Sequence, residues 1–173
     1  MNIENSALKY LQDLFGYEQF RGDQQAVISR IINGDDTLVL MPTGGGKSLC
    51  YQIPSLVRDG VGIVISPLIA LMQDQVQQLC QNGVRAAFVN SSLSAARNSS
   101  IEGQAINGEL DILYMAPERL MSAAGQQLLS QLNIALLLSM RRTVSHSGGM
   151  ISDPSTLSWR HLPINTRMCH GSH

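Results

Sequence analysis

Asp36-Thr37-Leu38-Val39-Leu40-Met41-Pro42-Thr43-Gly44-Gly45-Gly46-Lys47-Ser48 decides how the rest of this chain is read. The apolar run Thr37–Met41 has the look of a buried strand, and it leads straight into a glycine-rich turn that ends in Lys47-Ser48. An apolar helical pattern follows. Strand, loop and helix in that order are what a phosphate-binding P-loop needs. Gly44, Gly45 and Gly46 open backbone conformations closed to other residues, so that successive N–H groups can converge on phosphate oxygens. Lys47 supplies a catalytic point charge for the β- and γ-phosphates of a nucleotide, Thr43 joins the cradle, and Ser48 offers a hydroxyl to Mg²⁺. The helix that starts there turns its positive end to the same anion. One position departs from the usual pattern: Met41 stands where a small residue normally opens the motif.

Working outward, short apolar segments alternate with helical ones. Thr37–Met41, Val61–Ile65, Arg85–Val89, Asp111–Met115 and Ile134–Leu138 read as strands buried on both faces. Ser48–Val57, Leu68–Gln81, Ser94–Asn107 and Glu118–Gln131 carry apolar residues at helical spacing. Strands alternating with helices predict a parallel α/β sheet whose ligands bind at the carboxyl ends of its strands.

The chain's 173 residues suffice for one domain with a core, and its 44% hydrophobic content is that of a globular protein. The net charge of −1 decides nothing about nucleic acid, because an overall charge can hide a local basic groove. Met1–Ser6 is polar and no apolar run approaches membrane-spanning length, so no signal peptide and no membrane partner are expected. Cys50, Cys80 and Cys169 are scattered, which predicts free thiols in a reducing cytoplasm.

Upstream of the glycines lies Phe15-Gly16-Tyr17-Glu18-Gln19-Phe20-Arg21-Gly22-Asp23-Gln24. A flat aromatic, a guanidinium and an amide beside a nucleotide site suit adenine. Tyr17 or Arg21 can stack on the base, and the Gln24 amide can both donate and accept at its edge. With the phosphate loop, this stretch resembles the adenine-reading motif of the RecQ family of ATP-dependent DNA helicases: Phe-Gly, three residues, Phe-Arg, two residues, Gln. Pro42–Ser48 resembles that family's own phosphate loop, and its preceding Met accounts for Met41. Ser66-Pro67-Leu68-Ile69-Ala70-Leu71-Met72-Gln73-Asp74-Gln75 and Tyr114-Met115-Ala116-Pro117-Glu118-Arg119 resemble the family's next two motifs.

The resemblance implies a RecA-like P-loop sheet flanked by helices, ATP and Mg²⁺ as cofactors, and single-stranded or partly duplex DNA as partner. It places Ser66, Pro67, Ala116, Pro117, Glu118 and Arg119 on the DNA path, where hydroxyls, amides and helix starts can hold phosphates without reading sequence. The parent activity it implies is 3′–5′ unwinding driven by ATP. Two other readings are a P-loop nucleotide-binding module that does not unwind DNA, and a small interaction protein whose tail binds a partner or metal.

The resemblance covers roughly residues 6–136 and then stops, which sets a partial ATP-binding domain at 1–136 and a tail at 137–173. The four histidines and Trp159 all lie in that tail, which shows neither helical nor strand periodicity and is expected to be disordered. Cys169, His170 and His173 match no usual zinc spacing. Where the family next carries Asp-Glu-Ala-His, this chain has no Asp-Glu dipeptide anywhere. If Ser139, Met140, Arg141 and Arg142 are encoded TCG-ATG-AGG-CGC, the frame one base earlier reads GAT-GAG-GCG-CAC, which is Asp-Glu-Ala-His. Permitted codons through Thr156 continue that frame into Cys-Val-Ser-Gln-Trp-Gly-His-Asp-Phe-Arg-Pro-Glu-Tyr, which resembles the family's aromatic-rich loop. Residues from about Leu137 onward therefore read as out-of-frame translation of a truncated helicase lobe, unable to hydrolyse ATP or unwind DNA.

Overall fold

The computed structural model describes residues 3–41 and 44–140. Its centre is two strands with no exposed residue, β1 (Val61–Ile65) and β3 (Ile112–Met115). They pair in parallel, Gly62 opposite Ile112 through Ile65 opposite Met115. β2 (Ala86–Val89) adds to the far side of β3 and β4 (Ile134–Ser139) to the far side of β1, both parallel, giving the order β2-β3-β1-β4. This is the α/β arrangement, a parallel sheet flanked by helices, that the sequence predicts.

Alternation along each strand sorts the core into two faces. Ile63, Ile65, Leu113 and Met115 meet Ile101 and Ala105 of α5 (Ala95–Ile106), Leu120 of α6 (Pro117–Met121), and Leu128 and Leu129 of α7 (Ala123–Gln131). On the opposite face, Val64, Ile112 and Tyr114 meet Tyr51 of α3 (Leu49–Val57) and Met72 and Leu79 of α4 (Ile69–Gln81). Two further helices, α1 (Ile3–Phe15) and α2 (Gln24–Ile32), cover the outside of α3 through Ala7, Leu11, Ile28 and Ile53. The alternation read from the sequence left both of these unassigned.

Two expectations are corrected. Thr37–Met41 forms no strand. Leu38 is 86% and Leu40 80% exposed. An apolar run becomes a buried strand only where a ladder partner and two covering layers await it. Within the described residues β2 and β4 end the sheet, and this segment pairs with neither.

The helix expected over Glu118–Gln131 is two helices. Ser122 breaks it in an extended conformation, donating its hydroxyl to the Arg119 carbonyl (2.7 Å) and accepting from the Gly125 N–H (3.1 Å). That hydroxyl caps α7 and satisfies one end of α6. Gly125 is required at the break, because a side chain there would run into the Arg119 carbonyl.

Among the described residues no helix is long and apolar enough to cross a membrane. Cys50 and Cys80 are free thiols, while Cys169 and the rest of the tail lie outside the described residues.

Gly125→Ala is expected to lower stability by about 1–3 kcal/mol, because backbone must move to admit the methyl group. Gly103→Ala, on α5 with open space around it, is expected to raise stability by about 0.5–1 kcal/mol through helix propensity. Urea midpoints of the two variants should move in opposite directions; a common direction would contradict the α6–α7 packing.

Candidate functional site

The parallel sheet sets where chemistry can collect. α3 returns to β1 through Arg58–Gly60, so its N-terminal end lies toward the carboxyl ends of the strands. Its contacts confirm this direction: Ser55, late in α3, abuts Gly62 at the start of β1, while Tyr51 reaches Tyr114 near the end of β3. The residues before α3 are therefore delivered to the edge where Ser66 follows β1 and Ala116 follows β3.

Gly44 and Gly46 adopt positive φ angles of 83° and 73°, which bends the loop in a way other residues resist. Gly46 also has no room for a side chain, since a Cβ would strike the Gln24 amide nitrogen. That amide joins the two sequence stretches. Gln24, only 3% exposed, accepts from the Arg21 N–H (2.8 Å) and donates to the Gly46 carbonyl (3.2 Å). The Lys47 ammonium donates to the Met41 carbonyl (2.7 Å), closing the loop at its base. Ser48 has helical backbone angles at the start of α3. Thr43 and Pro42 lie outside the described residues.

A cavity of about 300 Å³ opens beside this clasp, lined by Tyr17, Arg21, Gln24, Gly44, Gly45 and Gly46 among others. Arg21 stacks over the Tyr17 ring, 5.5 Å from its centroid, and the ring is 45% exposed. A flat base does not fit between groups that close, so it would take the other face of Tyr17 or displace the guanidinium. Although both ends of the Gln24 amide are engaged, its oxygen keeps a lone pair and its nitrogen a second hydrogen. The lining thus offers an aromatic face, an amide edge and a glycine-rich backbone in one place, which fits a nucleoside phosphate. Asp23 and Gln19 line the same cavity, and the sequence reading gave them no role.

The two further motif corners lie side by side, because β1 and β3 are paired in register. Their side chains are more engaged than sequence suggests. Ser66 is buried, and its hydroxyl accepts from the Leu68 N–H (3.3 Å), leaving Pro67 and Leu68 as the exposed part. Ala116 is buried and Pro117 opens α6, with Glu118 exposed. Arg119 is ion-paired with Glu102 of α5 in a largely covered setting, so its guanidinium is already committed.

Beneath the loop lies a polar cluster that the sequence did not reveal. The Tyr51 phenol donates to Gln75 Oε1 (3.3 Å) and shares a hydrogen bond with the Tyr114 phenol (3.0 Å). Gln52 Nε2 donates to the same Gln75 oxygen (3.1 Å). Burial raises the Tyr51 pKa well above its ordinary value of 10, with Tyr114 adding to the rise while the Ser48 and Gln52 side chains beside it pull the other way. Tyr114 is raised chiefly by burial too, with Tyr51 and Gln52 opposing. Tyrosine at helical or strand spacing reads as core, so nothing in the periodicity marks these hydroxyls as partners.

Residues 21–137 match the DEAD/DEAH box helicase family. The chain belongs to that family. It is 47% identical over 132 residues to the ATP-dependent DNA helicase RecQ of Haemophilus influenzae, covering 76% of this chain and 21% of that one. The RecQ of Pasteurella multocida is 42% identical over 135 residues, with 78% and 21% covered. That of Bacillus subtilis is 41% identical over 132 residues, with 76% and 22% covered. The chain thus spans about a fifth of the length of these relatives. The family match ends at residue 137, where the sequence changes texture.

The tyrosine pair carries a pH prediction. Both folded-state pKa values lie above the unfolded ones, so the stability they contribute is complete below about pH 10 and lost as pH rises further. Urea midpoints should therefore fall between about pH 9 and about pH 11, and Tyr51→Phe should flatten that fall. Equal alkaline slopes in the two proteins would show that the phenols are not held protonated by the fold.

Proposed function

We propose that the described residues form the nucleotide-binding half of the first RecA-like lobe of a RecQ-family, ATP-dependent 3′–5′ DNA helicase. The observation that carries this reading is the Gln24 amide, buried between Arg21 and Gly46, which makes one cavity from the two separate stretches. Tyr17 or Arg21 would stack on adenine and Gln24 would meet its edge. The backbone of Thr43 and Gly44–Gly46 would cradle phosphates, Lys47 would leave the Met41 carbonyl for a phosphate oxygen, and Ser48 would take a magnesium ligand position. The bound Mg²⁺–ATP would supply the phosphoanhydride whose hydrolysis drives movement.

Single-stranded or partly duplex DNA would pass over the corners at Ser66-Pro67 and at Ala116-Pro117-Glu118-Arg119. Because the Ser66 hydroxyl is buried and Arg119 is paired, these corners would act through backbone groups and shape. Those same observations keep one rival open: a P-loop nucleotide-binding module that does not unwind DNA, which absence of any single-strand affinity would favour. A cytoplasmic setting accompanies the helicase reading.

This polypeptide is proposed to be inactive in hydrolysis, with a partial domain over 1–136 and an out-of-frame segment over 137–173. The sequence has no Asp-Glu dipeptide to hold the metal and position the attacking water. Loss of a positioned general base alone lowers rates by about 10²–10⁴.

Binding of a fluorescent ATP analogue is expected in wild type and to weaken at least about tenfold in Lys47→Ala, since a charge-assisted phosphate contact disappears. ATP turnover should stay at background with and without single-stranded DNA. A folded wild-type chain that ignores the analogue would sink the nucleotide reading. DNA-stimulated turnover that depends on Lys47 would sink the claim of inactivity.

A further inference from the structure

We infer that a second cavity, set between α3, α4 and the end of α1, binds a small uncharged ring that carries an N–H and a C=O on one edge. The cavity holds about 250 Å³ and is lined by Phe15, Tyr17, Gln52, Gln75, Gln78 and Asn82 among others. It adjoins the cavity of the proposed nucleotide site, with Tyr17, Gly46 and Leu49 lining both. The chemistry of the two differs.

Arg21 and Asp23 line the first cavity. Among the described residues that line the second there is no Asp, Glu, Lys, Arg or His. A charged ligand would give up hydration there without meeting an opposite charge, which selects for a neutral one. The volume falls just below the usual range for drug-sized ligands, so the occupant is about one ring with its substituents. Phe15 ends α1, and the Tyr17 ring is 45% exposed, so aromatic surface is available to a flat molecule.

Carboxamides supply the edge. Gln75, Gln78 and Asn82 are spaced three and then four residues apart on one face of α4, and Gln52 reaches them from α3. Gln52 Nε2 donates to Gln75 Oε1 (3.1 Å), and the same oxygen accepts from the Tyr51 phenol (3.3 Å). Both lone pairs of Gln75 Oε1 are thereby used, while its Nε2 has no partner among the described residues. Gln52 is only 5% exposed, and its Oε1 likewise has no partner among them. One acceptor and one donor are thus left over on two side chains that a hydrogen bond already holds together. A ring lactam carries the matching pair, an N–H for Gln52 Oε1 and a C=O for Gln75 Nε2, so one edge satisfies both. Gln78 and Asn82 are exposed and add further amide groups for its substituents.

Ligand-observed NMR on the whole 173-residue chain tests the site, with 2-pyridone as the lactam probe and 1-methyl-2-pyridone, which lacks the N–H, as its control. ADP with magnesium, titrated into the same samples, reports the nucleotide site separately. Wild type should bind 2-pyridone in the millimolar range, as befits so few atoms, and the methylated ring at least about fivefold more weakly. Gln52→Leu and Gln75→Leu should each weaken 2-pyridone at least about fivefold and leave ADP within about threefold of wild type. These variants sit on different helices, so loss of fold in one leaves the other to decide. Saturating ADP should leave 2-pyridone bound. Wild type that ignores 2-pyridone, equal binding of the two rings, or undiminished binding in the folded variants would overturn the inference. Displacement by ADP would overturn it as well, because the ring would then occupy the nucleotide cavity. A chain that binds 2-pyridone in this pattern and no ADP would sink the nucleotide reading and leave this site standing.

Discussion

One buried carboxamide holds the candidate site together. Gln24 is the first residue of α2, and through its side chain it fixes the Arg21 backbone on one side and the Gly46 backbone on the other. Each bond is modest alone, but leaving either partner unpaired in a covered position costs about 1–3 kcal/mol. Because the amide occupies the space beside Gly46, a residue with a side chain is excluded there. The positive φ angles at Gly44 and Gly46 then give the loop its bend. The aromatic–guanidinium pair at Tyr17 and Arg21 and the glycine loop thus become one surface, although they are far apart in sequence.

That surface lies where the sheet puts it. β1 and β3 are buried on both faces, and their parallel pairing brings the Ser66 and Ala116 corners together. α3 runs back along β1 and presents its start to the same edge. The Tyr51–Tyr114–Gln75 cluster spans the space between them. β4 shows how the sheet ends: its burial is partial, Leu137 is exposed, and no described strand pairs with its outer side. An apolar edge of that kind is a template for association with another chain.

Much of this could be read in the sequence because parallel strands and their covering helices carry strong, different periodicities. Val61–Ile65 matches its strand to the residue, and Leu68–Gln81 and Ser94–Asn107 run within one residue of α4 and α5 at either end. Gln24 was also legible as a site residue, but its two backbone partners were not, since nothing local says which groups an amide will find. Thr37–Met41 misled because an apolar run records what the segment can pair with and not whether a partner is present. Ser122 was hidden inside a helical pattern that continues on both sides of it. The resemblance sets Ser66 and Arg119 on the DNA path, and the sequence did not show that the Ser66 hydroxyl meets the Leu68 N–H or that Arg119 pairs with Glu102. Residues 141–173, with the shifted-frame reading that falls on them, lie outside the described residues.

Titration calorimetry of the whole chain with ADP and with GDP tests the central claim most directly. On the proposed reading the Gln24 amide and the Tyr17–Arg21 pair would meet an adenine edge, so ADP should bind and GDP should bind at least about tenfold more weakly, the discrimination expected when a polar edge loses its partner. Equal affinities, or heat from neither nucleotide in a folded sample, would contradict the account.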